Sequence, residues 1–160
     1  MREILFRGKS MNDGEWVQGS LVITVIEPAD DTPYKHYHIE DMTIGVFPNE
    51  FQSGLSETVA PETVGQFIGL TDKDGKKIFE GDIIQYSIEE EQAVFIGAVK
   101  FGEFNPSGGA LLNTNVGFYV ELVDLEGKRT YMRKDIGYWV KFRGIEVIGN
   151  IHDNPELLEV

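Results

Sequence analysis

Apolar and polar positions alternate along most of the chain, and short glycine turns interrupt the alternation. Asp13-Gly14 separates Glu3–Lys9 from Glu15–Ile26. Asp74-Gly75 separates Gln66–Thr71 from Lys77–Phe79, and Glu126-Gly127 separates Gly117–Leu125 from Lys128–Lys134. Each dipeptide puts glycine where a tight hairpin needs a positive φ. The flanks are rich in Val, Ile, Phe, Tyr and Thr, residues that fit a pleated, half-buried surface. Asp82–Ile88 and Ala93–Phe101 read as two more strands, joined through Glu89-Glu90-Glu91, and apolar segments follow at Ile136–Phe142 and Ile145–Ile151. Helix signals are few. Pro61-Glu62-Thr63-Val64 suits one turn with proline at its first position, and Asp153 or Asn154 suits the cap of a short helix starting at Pro155. Glu27–Tyr34 and Phe104–Val116 read as loops, the second longer than an ordinary hairpin needs.

The expected architecture is therefore mainly β with minor helix. Residues 1–60 form a β-rich N-terminal part. Residues 61–160 hold a run of short strands fed by the turn at Glu80-Gly81-Asp82, expected to close as an SH3-like barrel-type subdomain with a short C-terminal helix.

Composition narrows the class. Hydrophobic residues make up 41% of 160 positions, enough for a real core at this length. Cysteine is absent, which removes disulfides and thiolate metal sites and fits a reducing compartment. The start, Met1 to Arg7, carries charges within its short apolar stretch and does not read as a signal peptide. The longest strongly apolar run, Leu21–Ile26, is too short to span a bilayer. A soluble, intracellular protein is the expectation.

Charge adds an asymmetry. The net charge is −13, which repels phosphate backbones and anionic membranes. Residues 1–127 carry 22 acids and 8 bases, yet Lys128–Arg143 carry six bases and only Asp135 as an acid. With Arg129–Lys134 as a strand, Arg129, Tyr131 and Arg133 share one face. Trp139, Lys141 and Arg143 alternate in the next segment, so two adjacent strands would present cations and aromatics together, as in a nucleic-acid or partner-binding surface. The competing reading places Trp139 and Tyr131 in the core and leaves the charges merely solvated.

Other candidates are thinner. On a strand, His36, His38 and Glu40 project from one face at the spacing of a 2-His-1-carboxylate metal set, but the polar side of an ordinary strand gives the same pattern. Asp72-Lys73-Asp74-Gly75 has its glycine fourth, where a calcium loop needs it sixth, and Ile83 where that loop needs glutamate. It reads as a turn. No nucleophile elbow and no phosphate-cradling glycine loop is present. Were there a catalytic site, Phe104–Val116 with His36 and His38 would be its place. The expectation is no catalytic residue, no metal and no cofactor. Overall acidity also raises DNA mimicry, although ordinary acidic proteins are far commoner.

Arg2-Glu3-Ile4-Leu5-Phe6-Arg7, Gly14-Glu15-Trp16-Val17-Gln18-Gly19, the long run from Pro61 to Ile84, and Val147 to Leu158 together resemble the YopX family of phage and prophage proteins. Residues 28–58 and 103–116 lie outside the resemblance. It implies a phage-encoded protein of the host cytoplasm, with no established activity, substrate or catalytic residue to carry over. The signature itself reads as structural. Gly69, Gly75 and Gly81 serve turns, Ile78, Phe79, Ile83 and Ile84 fill a core, and Asn154-Pro155 starts the closing helix. The expected function is a non-enzymatic accessory protein that self-associates or binds a host or phage protein, with no membrane. Nucleic-acid binding through residues 128–143 is the alternative.

Overall fold

A computed structural model describes residues 3–28, 32–40, 56–88, 93–105, 114–123, 129–131 and 136–159, with the side chains of Ile88, Ala93, 129–131, Tyr138, Trp139, Phe142 and Arg143 outside the description. The chain is mainly β and divides into two compact units, Met1–Phe67 and Ile68–Val160. Among the described residues no helix is long and apolar enough to cross a membrane.

The first unit is built on β1 (Phe6–Lys9), β2 (Trp16–Ile26), β3 (Tyr34–Glu40) and β4 (Ser56–Thr58). They lie antiparallel in the order β4-β3-β2-β1, and β5 (Gly65–Thr71) pairs with β1 through Gly65 and Gln66. The Asp13-Gly14 turn joins β1 to β2 as the sequence predicts, with Gly14 at φ 77°. A 3-10 turn at Pro61–Thr63 begins with proline, whose missing N–H costs nothing there. Among the described residues of this unit few apolar side chains are fully buried. Ile39, Val59 and Phe67 are, and they share the interior with Arg7, Ser10 and Thr63. Polar bonds do part of the packing: Lys9 N–H donates to Thr63 Oγ1 at 2.9 Å, and Ser10 Oγ–H and Asn12 Nδ2–H both donate to Glu57 Oε1 at 2.6 Å. The Arg7 guanidinium lies 4.6 Å from the centre of the Trp16 ring.

The second unit begins with the rest of β5, which pairs with β6 (Lys77–Phe79). Gly75, at φ 84°, closes the turn between them. A separate sheet follows in the order β10-β9-β8-β7-β11, from β7 (Asp82–Ile88), β8 (Ala93–Phe104), β9 (Asn115–Val123), β10 (Arg129–Tyr131) and β11 (Glu146–Asn150). All its pairings are antiparallel. Among the described residues this sheet is open, with β10 and β11 at its edges; no closed, SH3-like barrel is found.

The signature residues land where a structural role requires. Ile78, Phe79, Ile83 and Ile84 are 0–2% exposed. Gly81 stands at φ 82°, a conformation L side chains rarely adopt, and its N–H donates to Val99 O at 2.9 Å. Gly69 departs from expectation: it also has positive φ, but inside β5 and not at a turn. The closing segment Pro155–Leu158 is a single 3-10 turn, and Asn154 at its cap makes no side-chain capping bond.

Ile136–Arg143, expected as a strand, is an α-helix, α1. Tyr138, Val140 and Phe142 are β-favouring residues, so local composition misleads here. Packing decides instead. Ile136 joins the core and Val140 packs against it, four residues apart on one helical face. Gly144 at φ 62° ends the helix, with Lys141 and Arg143 in the last turn, where cations suit the helix dipole.

Candidate functional site

The basic and aromatic residues singled out in the sequence do not form a two-strand surface. Arg129 and Tyr131 lie on β10, opposite Val123 and Glu121 of β9. Arg133 lies outside the described residues. Trp139, Lys141 and Arg143 are on α1, not on a strand. Lys141 is exposed. The alternation that suggested a binding face was a strand argument, and the helix removes it.

His36 and His38 do lie together, with ring centroids 4.1 Å apart and edge-on. Glu40 follows on the same face of β3, but among the described residues no three His, Cys, Asp or Glu groups are arranged to hold a metal. The expected loop shortens too, since β8 runs to Phe104 and β9 starts at Asn115; residues 106–113 lie outside the description.

Two buried carboxylates, in segments that the sequence reads as turns, are structural acceptors. Asp72 Oδ1 accepts the N–H groups of Asp74 and Lys76, each at 2.9 Å, and Oδ2 accepts Val147 N–H at 3.1 Å. Burial works to raise its pKa. The bonds from Val147, Lys76 and Asp74, with the Lys76 charge, outweigh burial and hold the carboxyl below its ordinary value of 3.8. The next residue strengthens the same tie, with Lys73 N–H donating to Ile145 O at 2.9 Å and Lys73 Nζ 2.8 Å from Glu146 Oε2. The Glu146 hydrogen bond and charge raise the Lys73 pKa. Asp82, 1% exposed, accepts Phe79 N–H on Oδ2 at 2.7 Å across the Gly81 turn. Through these backbone donors the two carboxylates staple their turns. Asp-x-Asp-Gly is the signal that could have found the first, since Asp readily accepts backbone N–H groups two residues on.

The feature that does suit contact with another molecule is the outer half of β2 and β3. Phe6–Lys9 of β1 covers β2 only at Trp16–Gly19, and β4 covers β3 only at His38–Glu40. Val59 N–H still donates to Tyr37 O at 3.0 Å; beyond it Thr24–Ile26 and Tyr34–His36 are a two-stranded ribbon among the described residues. Cross-strand register puts Leu21, Ile23 and Val25 on one face with Ile39, Tyr37 and Lys35. The row starts in the core, where Ile39 is 1% exposed, and runs out to Ile23 at 48% and Val25 at 56%. Tyr34, on the other face, is 53% exposed. β-branched residues make this segment a strand, but nothing described packs over its outer end.

A second ribbon, in the other unit, is built alike. β7 covers β8 only as far as Ala98, and β10 covers β9 only from Glu121, so Lys100–Phe104 pairs with Asn115–Tyr119 alone. Here aromatic rings cover one another. Phe104, 8% exposed, stacks on Tyr119 at 5.1 Å, and Phe118 meets Phe101 edge-on at 5.1 Å. Lys100 Nζ bonds Glu121 Oε2 at 2.6 Å.

Three comparisons bear on what the chain is. A family model described as YopX protein matches residues 5–159. No curated protein matches the chain. Among solved structures, the crystal structure of protein EF1440 from Enterococcus faecalis is similar at 23% identity and a TM-score of 0.51, covering 99% of this chain and 100% of that one. At that identity the likeness concerns the fold alone.

Proposed function

The chain belongs to the YopX family, and from that premise we propose that it is a phage or prophage accessory protein of the host cytoplasm that works by non-enzymatic association, with itself or with a host or phage protein. The observation that carries this reading is the exposed apolar row on the β2–β3 ribbon. An isolated two-stranded ribbon is marginal in water, and an apolar row that leaves the core for solvent gains most from a partner. No metal, cofactor or catalytic residue enters the reading.

Sedimentation across protein concentration and salt, combined with capture from host lysate, tests it. The expected result is an assembly that strengthens as salt screens the −13 charge of each chain, because apolar burial drives it and like charge opposes it. A strictly monomeric protein that also captures nothing from lysate contradicts it. The nucleic-acid alternative is settled by gel shifts at low salt with single- and double-stranded DNA and RNA. Binding that disappears with Arg129→Ala and Arg133→Ala would replace association as the leading account.

A further inference from the structure

The association reading leaves the partner open, and the outer half of β2 narrows it. Trp16–Ile26 contains no charged residue, in a chain of net charge −13. Among the described residues no strand lies along the edge of Ser20–Ile26 that faces away from β3. Such an edge presents backbone N–H and C=O groups that an extended strand is shaped to pair. Natural edges are usually shortened or guarded by Lys, Pro or a bulge, and this one has none of these.

The sequence of that edge is close to symmetric about Ile23. Val22 and Thr24, one step either side, are β-branched and nearly equal in shape; Leu21 and Val25, two steps away, are both aliphatic. We propose that two copies of this chain pair antiparallel along β2 about a two-fold axis at Ile23. Ile23 then faces Ile23 of the second copy, Val22 faces Thr24, and Leu21 faces Val25. The exposed rows of the two ribbons join into one apolar band, and the contact is isologous, so it closes as a dimer. Charge favours this occupant and this place. Two copies of −13 repel wherever carboxylates oppose, and a neutral strand lets them meet with no like charges directly across the ladder. The inference rests on the association reading and supplies its partner.

The absence of cysteine makes the test clean, because Ile23→Cys introduces a single thiol. Directly opposed residues of an antiparallel pair have Cα atoms about 4.5–5.5 Å apart, within the span of a disulfide. Mild oxidation should convert most of the Ile23→Cys protein to a covalent dimer. Val94→Cys, at a position 57% exposed on β8, should stay monomeric under the same conditions when mass is measured without reductant. Ile23→Lys should bring the sedimenting mass from twice 18.0 kDa down to 18.0 kDa at micromolar concentration. Mixing Ile23→Lys with Ile23→Glu should restore the dimer, since position 23 faces itself. A dimer that survives Ile23→Lys, with no cross-link from Ile23→Cys, overturns this inference and leaves the association reading standing. So does a monomer that captures another protein. A monomer that captures nothing overturns both. Should Ile23→Lys fail to fold, the cysteine result alone decides.

Discussion

Each unit sends out a two-stranded ribbon beyond the strands that flank it, and the two ribbons solve the same problem differently. Lys100–Phe104 with Asn115–Tyr119 pairs its rings: Phe104 stacks on Tyr119, Phe118 meets Phe101, and a lysine–glutamate pair bridges the strands near the base. Cross-strand aromatic pairs add about 0.2–1 kcal/mol each, enough to favour one geometry in a ribbon this short. On the outer part of β2 the side chains are β-branched, and Ile23 and Val25 opposite Tyr37 and Lys35 are about half exposed. Both ribbons keep apolar side chains in solvent, with Phe101 at 55% and Val116 at 68% exposed on the aromatic one, so what separates them is the ring pairing and the uncharged free edge of β2. The rest of each unit follows the same division. Among the described residues the second unit has a large apolar core and turns stapled by Asp72 and Asp82, while the first buries Ile39, Val59 and Phe67 beside Arg7, Ser10 and Thr63.

Variants can break this comparison, and the largest effect belongs to the core of the second unit. Ile83 is fully buried, so Ile83→Ala should cost roughly 2–5 kcal/mol and visibly lower the denaturant midpoint. An unchanged midpoint would mean that the signature around Gly81 is not structural.

Next comes the Asp72 staple. Asp72→Asn keeps one carbonyl oxygen but loses the charge and one acceptor, at an expected cost of about 1–3 kcal/mol in urea at neutral pH. The folded pKa lies below the ordinary value, so the ionised carboxylate's contribution is complete above about pH 4 and fades as pH falls through the folded pKa. The gap between parent and variant should thus narrow on acidification below pH 4. A gap that widens would contradict the assignment of Asp72 as a charged backbone acceptor.

A smaller loss is expected at Gly81, where a side chain must adopt φ 82°. Gly81→Ala should lower stability by about 1 kcal/mol or more in the same titration. Smallest of all is Ile23→Ser on the exposed ribbon. Measured at low protein concentration, where association does not contribute, it should change stability by no more than about 0.5 kcal/mol, while weakening assembly at high concentration. A large loss at low concentration would show that Ile23 supports the fold of its own chain.

Much of this fold is legible in the residues. Asp13-Gly14 and Asp74-Gly75 mark their hairpins because only a residue without Cβ turns so tightly at no cost, and Ile78, Phe79, Ile83 and Ile84 announce a buried pair of strands. The helix at 136–143 is not legible from composition, since Tyr138, Val140 and Phe142 favour strands; its one local signal is Gly144 after two cations. Misreading that segment produced the expected basic face, because alternation means a shared surface only in a strand. The β2–β3 ribbon is hidden for another reason. Leu21–Ile26 is evidently a strand, but its exposure depends on where β1 and β4 stop, and those limits are set by pairing distant in sequence.

Hydrogen exchange at two protein concentrations tests the contrast most directly. Amides of residues 20–26 should exchange quickly in dilute protein on the edge away from β3 and slow markedly as concentration rises, while Ile83 and Ile84 remain slow throughout. Equal exchange of residues 20–26 at both concentrations, in a sample whose sedimentation shows assembly, would contradict the claim that this ribbon is the surface left for a partner.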